Sequence, residues 1–307
     1  MAFIIQKTQG TVFMLARLIR RFLLFQMLSG ALLGWFLSDP SNTRPWVVAL
    51  WALGFPLLIA LTLTLKTAIQ SRAPGATGAW WRALPGEYVA GIRLYMLQQP
   101  WAKGSPPFQP ATDPALPGMP VLLVHGYICN HRVWDTAAKA LRQAGHPVLA
   151  LDLEPLFTSI DDYAPRIEQA VAELCRQTGT EKVALIGHSM GGLVIRAWMR
   201  AQGTGRVAKV ITLGTPHAGT QIDPHPKTLN GQQMAWHSDW LQTLAASETS
   251  ATRSLIRIAL TTQDNIVFPQ REQVLEGVPV KVFEGLGHLA LCLDHAVIDW
   301  VRVELSD

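Results

Sequence analysis

Long charge-free apolar runs fill the first 70 residues, whereas short β-branched runs alternating with amphipathic stretches fill the chain from residue 119 onward. Trp46 to Leu65 holds no charge over 20 residues. As a helix it reaches about 30 Å, the depth of a bilayer's hydrocarbon core. Phe22 to Leu37 is also uncharged but only 16 residues long, with Arg17, Arg20 and Arg21 just upstream. Arginine stems can lie along apolar surface while their heads reach the headgroups, so a helix starting near Arg17 has enough length to span. The chain continues Ser-Asp-Pro-Ser-Asn-Thr-Arg-Pro after Leu37, with no small-x-small cleavage site, and a second apolar segment follows at once. This reads as a hairpin of two transmembrane helices, about 17–37 and 46–65, and not as a cleaved leader.

Residues 71–118 are rich in Pro, Gly and Ala around an aromatic centre at Trp80, Trp81, Tyr88, Tyr95 and Trp101. They read as a linker with one helix that either lies on the membrane surface or packs on the following domain. Within 119–307, strands are expected at 120–124, 147–151, 182–186, 208–213, 255–260 and 278–283, and helices at 131–144, 161–178, 191–202, 270–276 and 290–304. Strands alternating with helices predict an α/β fold, a mainly parallel sheet covered on both faces. The long polar interruption at 215–252 is expected to sit over the strand ends as a small lid.

Charge changes the picture in one respect. The net charge of +4 is carried by the N-terminal part: residues 1–119 hold ten basic and three acidic residues, and residues 120–307 hold 16 and 19. The basic residues lie beside the apolar segments, where they suit anionic lipid headgroups, so the bilayer is the expected partner and nucleic acid is not. Lys7, Arg17, Arg20 and Arg21 precede the first span, and Lys66, Arg72 and Arg82 follow the second. Between the spans stand only Arg44 and Asp39. That bias places both ends, and the domain beyond them, in the cytoplasm. Cys129, Cys175 and Cys292 form no paired motif and fit a reducing compartment. Cys129 is a candidate for alkylation. The sequence does not specify an oligomeric state.

The candidate chemistry centres on Gly187-His188-Ser189-Met190-Gly191, set between the apolar run at 182–186 and a helical pattern. A sharp strand-to-helix turn there lifts the Ser189 hydroxyl clear of the backbone as a nucleophile. A serine needs a base and a group that orients the base. Asp264 follows the strand at 255–260, and His288 follows the strand at 278–283, in the chain order Ser, Asp, His. Asp223, Asp239 and Glu284 are rival acids; His217 and His295 are rival bases; His188 reads as a packed residue that shapes the turn. Oxyanion donors are expected at the backbone amides of Tyr127, after the first strand, and of Met190. His217, Asp223, His225, His237 and Asp239 lack ligand spacing, so neither a metal nor a cofactor is expected.

Together the strings HGYICNHRVW, GHSMGG, LGTPHAGT and GLGHLAL, with the Asp264 segment, resemble an α/β-hydrolase of the lipase/esterase kind. Leu213 to Thr220 is similar to a string found in bacterial triacylglycerol lipases and in the GPI-inositol-deacylase-like group. The resemblance covers roughly residues 120–307. It implies hydrolysis of carboxylic esters through an acyl-serine, with Ser189, Asp264 and His288 as the triad and an acyl-ester or lipid substrate. With the hairpin it implies a multi-pass protein of a bacterial inner membrane. The same triad serves acyl transfer or cleavage of thioesters and amides, and a membrane-tethered binding module is the non-enzymatic alternative.

Overall fold

The structure is a computed structural model that describes residues 14–38, 44–73, 77–104, 108–113, 115, 116 and 118–306. Lys7 and Asp39, which flank the first apolar segment, lie outside these residues, as does Asp307. Helix α1 spans Met14–Phe36 and helix α2 spans Pro45–Ser71. Both are long and apolar enough to cross a membrane. They pack closely because Gly30 and Gly34, spaced as in small-xxx-small helix pairs, present no side chain to α2. A Cβ at Gly30 would stand 2.3 Å from the Trp51 carbonyl oxygen, and one at Gly34 would stand 2.8 Å from Trp51 Cβ.

Two features of this hairpin depart from the expected spans. The start of α1 is docked on the globular part: Leu15 and Ile19 pack with Leu156, Ile128 and Tyr95, and the Leu15 amide donates to Glu154 Oε1 at 3.2 Å. Helix α2 runs six residues past Leu65, and its last turns meet the domain. Thr67 Oγ1 accepts from Asn265 Nδ2 at 2.9 Å, and the Ser71 carbonyl accepts from Gln270 Nε2 at 3.0 Å. Helix α3, Thr77–Ile92, continues through a π-helical turn at Arg93–Gln98. Trp80, Ala83, Glu87, Ala90 and Leu94 are buried in its inner face, while Trp81, Val89, Leu97 and Trp101 are exposed.

The rest of the chain builds a six-stranded parallel sheet of order β2-β1-β3-β4-β5-β6. Its strands are β1 Val121–Val124, β2 Val148–Leu151, β3 Val183–His188, β4 Val207–Leu213, β5 Ile256–Thr261 and β6 Val280–Phe283. Alternate strand residues face opposite sides. Leu122, Val124, Leu185 and Val210 pack under helices α5, Ala164–Thr178, and α6, Met190–Gln202. Val121, Leu123, Ile186 and Ile211 pack under α4, Asp135–Gln143, and α10, His295–Ser306. The strand order reverses between β1 and β3, and it is outside the carboxyl ends at such a switch point that open α/β sheets bind ligands.

Between β4 and β5 the chain forms three short helices, α7 Leu229–Gln233, α8 Asp239–Ala246 and α9 Ser250–Ser254. This insertion is anchored by a buried ion pair, Arg196 Nε to Glu248 Oε1 at 2.6 Å, and by Asn230 Nδ2 donating to the Leu156 carbonyl at 2.8 Å. The expected helix at 270–276 is a single turn, Gln270–Glu272. Gln270 and Gln273 are buried, and their amides bond loop backbone instead of facing solvent: Gln273 Nε2 donates to the carbonyls of Gly219 and Pro269.

Candidate active site

Ser189 caps α6 with φ 55° and ψ −129°, a conformation costing of order 1–3 kcal/mol for a residue with a Cβ. The turn forms because its neighbours are glycines. A Cβ at Gly187 would lie 2.5 Å from the Gly192 nitrogen, and one at Gly191 would lie 2.2 Å from the Val124 carbonyl oxygen. Bare backbone at both positions lets α6 start hard against the ends of β1 and β3. Gly126, in the loop after β1, approaches equally closely: a Cβ there would stand 2.7 Å from Ser189 Cβ and 3.2 Å from its Oγ. The amides of Tyr127 and Met190, on either side of this approach, have no acceptor among the described residues.

His288 follows β6 and Asp264 follows β5, so both arrive at the sheet edge that carries Ser189. His288 Nδ1 donates to Asp264 Oδ2 at 2.8 Å, while Asp264 Oδ1 accepts the amides of Ile266 at 2.9 Å and Val267 at 2.7 Å. The carboxylate can only accept, so the imidazole proton is held on Nδ1 and Nε2 keeps its lone pair. Burial alone would lower the His288 pKa, but the charge and hydrogen bond of Asp264, helped by Glu87, raise it above the usual 6.5. A base must be neutral to act, so ester turnover should rise with pH along a limb whose midpoint lies above 6.5. A kcat/KM profile from pH 5 to 9 measures it; a limb centred clearly below that value would show that another group controls the rate. Ser189 Oγ makes no hydrogen bond among the described residues.

The rival His295 is exposed at the start of α10, and the rival His217 is committed elsewhere. His217 Nδ1 accepts from Arg196 at 3.1 Å and its Nε2 bonds Thr212 Oγ1 at 3.0 Å; burial, then the arginine charge, holds its pKa well below 6.5. His188 is wedged against Trp134 and His288, and its Nε2 donates to the His288 carbonyl at 3.1 Å. Burial keeps it neutral, so it holds the backbone of His288 without competing for the proton. Cys129 is not an accessible thiol: it is buried, and its pKa is pushed up to about 11 by that burial.

Several residues not singled out by sequence reasoning frame the site. Asn265 Oδ1 accepts the His288 amide at 3.2 Å while its Nδ2 reaches Thr67 on α2, and Glu87 on α3 accepts the amides just past His288. The loop carrying Tyr127 is pinned at both ends. His125 Nε2 accepts the Leu153 amide at 2.9 Å, and the Asp152 carboxylate takes the His131 amide at 2.8 Å and its Nδ1 at 2.9 Å. Buried histidines following a glycine-rich strand end were the available signal, but their partner Asp152 lies 21 residues beyond His131 and is joined only by the fold.

Residues 119–262 match the family model for the α/β hydrolase fold. The chain is 32% identical over 165 residues to a triacylglycerol lipase of Burkholderia plantarii, a match covering 50% of this chain and 43% of that protein. It is 31% identical over 121 residues to a non-heme haloperoxidase of Rhodococcus erythropolis, covering 36% and 43% of the two chains. The chain thus spans less than half the length of these curated relatives. A crystal structure of a Bacillus licheniformis lipase in its mature form superimposes with a TM-score of 0.54 at 16% identity, covering 64% of this chain and 96% of that one. With the parallel sheet and its order, these matches show that the globular part of the chain has the α/β hydrolase fold and is similar to proteins of the lipase and esterase type.

Proposed function

We propose that this protein is a membrane-anchored serine hydrolase that cleaves carboxylic esters of lipid-like or small acyl compounds through an acyl-serine. The observation that carries the reading is the strained Ser189 turn set at the same sheet edge as a buried His288–Asp264 pair. Ser189 Oγ attacks the ester carbonyl carbon as its proton passes to His288 Nε2. The oxyanion is met by the amides of Tyr127 and Met190, which are fixed before reaction and need not reorient. His288 then gives its proton to the departing alkoxide, and the alcohol leaves. Water repeats the sequence on the acyl-serine and frees the acid.

One geometric relation supports both the anchor and the substrate class. Thr67, two residues past the apolar span, bonds Asn265, whose side-chain carbonyl oxygen holds the His288 amide. The site therefore lies close to the end of α2, beside the headgroups if the hairpin spans. The exposed Trp81, Val89, Leu97 and Trp101 suit the same interface. The edge-to-face pair Tyr127–Phe157 beside the oxyanion loop offers an apolar wall for an acyl chain. Ser189, Asp264 and His288 are all buried, and the β4–β5 insertion, whose Thr228 Oγ1 bonds the Tyr127 hydroxyl at 3.1 Å, is read as the lid that substrate displaces. The flanking charges support a cytoplasmic position for the domain, which fusion of a compartment-specific reporter to the C-terminus tests.

The function is tested on detergent-purified full-length protein with a fluorophosphonate and with p-nitrophenyl esters of increasing chain length. Covalent labelling together with release of p-nitrophenol is expected. Folded protein that neither labels nor turns over any ester would overturn the reading.

A further inference from the structure

Between Asp39 and Asp113 the chain carries a single acidic residue, Glu87. It sits midway along the buried stripe of α3, with Trp80 and Ala83 before it and Ala90 and Leu94 after it. A carboxylate placed in such a stripe loses its hydration and is tolerated only if hydrogen bonds replace the water. Here they come from the segment that carries His288. The Leu289 amide donates to both Glu87 oxygens at 3.0 Å, and the Ala290 amide donates to Oε2 at 3.0 Å. On the other side of the histidine, a Cβ at Gly287 would stand 2.4 Å from Oε2. The loop therefore closes around the carboxylate only because residue 287 has no side chain.

We propose that Glu87 is a positioning residue for His288: its carboxylate holds the two backbone amides after the histidine and packs against Gly287 before it, making α3 a structural part of the active site. This rests on the reading of His288 as the general base. The loop after β6 has no regular structure of its own to aim the imidazole. Asp264 fixes one ring nitrogen, Asn265 the backbone amide of His288, His188 its carbonyl, and Glu87 the two amides that follow. Burial raises the Glu87 carboxyl above its usual range, opposed by the Leu289 amide, His288 and the Ala290 amide; every hydrogen-bond partner of Glu87 is an N–H donor, so the arrangement suits the ionised carboxylate and leaves a carboxyl proton without an acceptor.

The charge acts on the base as well as the backbone. Groups in electrostatic reach of Glu87 are His288, Asp264, Tyr95 and Cys292. Burial holds Tyr95 and Cys292 protonated and neutral, and His188, against the other face of His288, is also neutral. The negative charges near the imidazole are thus Asp264 in contact and Glu87 behind the loop, and both favour its protonated form.

The test compares full-length Glu87→Gln and Glu87→Asp with wild type in detergent, with Ser189→Ala as the inactive reference. The glutamine variant keeps the reach and loses the charge; the aspartate variant keeps the charge and loses a methylene. Thermal unfolding should stay cooperative in both. Glu87→Gln should lower kcat by between about 10- and 100-fold with KM unchanged, and shift the acid limb to lower pH; Glu87→Asp should restore the limb toward its wild-type position. A ¹⁵N-imidazole NMR titration of His288 reads the same shift without turnover. It separates failure of this proposal from failure of the esterase reading, in which wild type itself would be inert. Wild-type kcat and an unmoved His288 titration in Glu87→Gln would overturn the proposal. So would loss of cooperative unfolding in both variants, which would assign Glu87 to folding alone.

Discussion

Ser189→Ala should lower kcat for ester hydrolysis by on the order of 10⁶ and abolish fluorophosphonate labelling, while leaving the fold intact. The structural cost of the substitution is small for two reasons. Alanine keeps the Cβ that already occupies the positive-φ position, so no new backbone strain is added. The lost hydroxyl makes no hydrogen bond among the described residues, so no buried partner is orphaned. Activity loss with an unchanged unfolding midpoint would therefore be a loss of chemistry. Near-wild-type turnover by the alanine protein would remove Ser189 from the mechanism.

Asp264→Asn should be the next most damaging change, lowering kcat by about 10⁴-fold with little effect on stability. The reason lies in the two amides bound to Oδ1. Ile266 and Val267 both donate to that oxygen, so an asparagine must turn its carbonyl toward them. Its NH₂ group then faces His288 Nδ1, a donor where an acceptor stood. The imidazole answers by moving its proton to Nε2, the nitrogen that must accept the serine proton. Recovery of activity at high pH, where Nε2–H is lost more readily, together with an unchanged fold would identify the tautomer as the cause. An asparagine variant as active as wild type would show that Asp264 does not orient the base.

The fold is largely readable in the chain. Each of the six expected strands agrees with the structure to within two residues at both ends, because short apolar, β-branched runs closed by turn residues are a local signal of strands. The helix expected at 270–276 fails for the opposite reason. Gln270, Gln273 and their neighbours are helix-compatible residues, yet buried glutamine amides there bond distant backbone, and that preference exists only once the loops at 216–219 and 264–269 have come together. Ser189, Asp264 and His288 stand out by their places just after β3, β5 and β6, and the structure sets the acid and the histidine 2.8 Å apart.

The residues that hold this arrangement are harder to see. Asp152, Asn265 and Glu87 carry no motif, and each works on a partner 21 or more residues away. Glu87 alone leaves a trace, as a solitary acid on an apolar helical stripe. The sequence by itself determined which elements form, because hydrophobic period and turn chemistry are local properties of the chain. It also marked the serine turn, whose glycines are adjacent to it. Tertiary structure decided that the first helix docks on the loop that carries Tyr127 and Ile128, that α2 and α3 end as supports of the His288 loop, and that the histidine carries its proton on Nδ1. Those outcomes depend on where single hydrogen-bonding groups meet across long separations, and periodicity holds no record of such meetings.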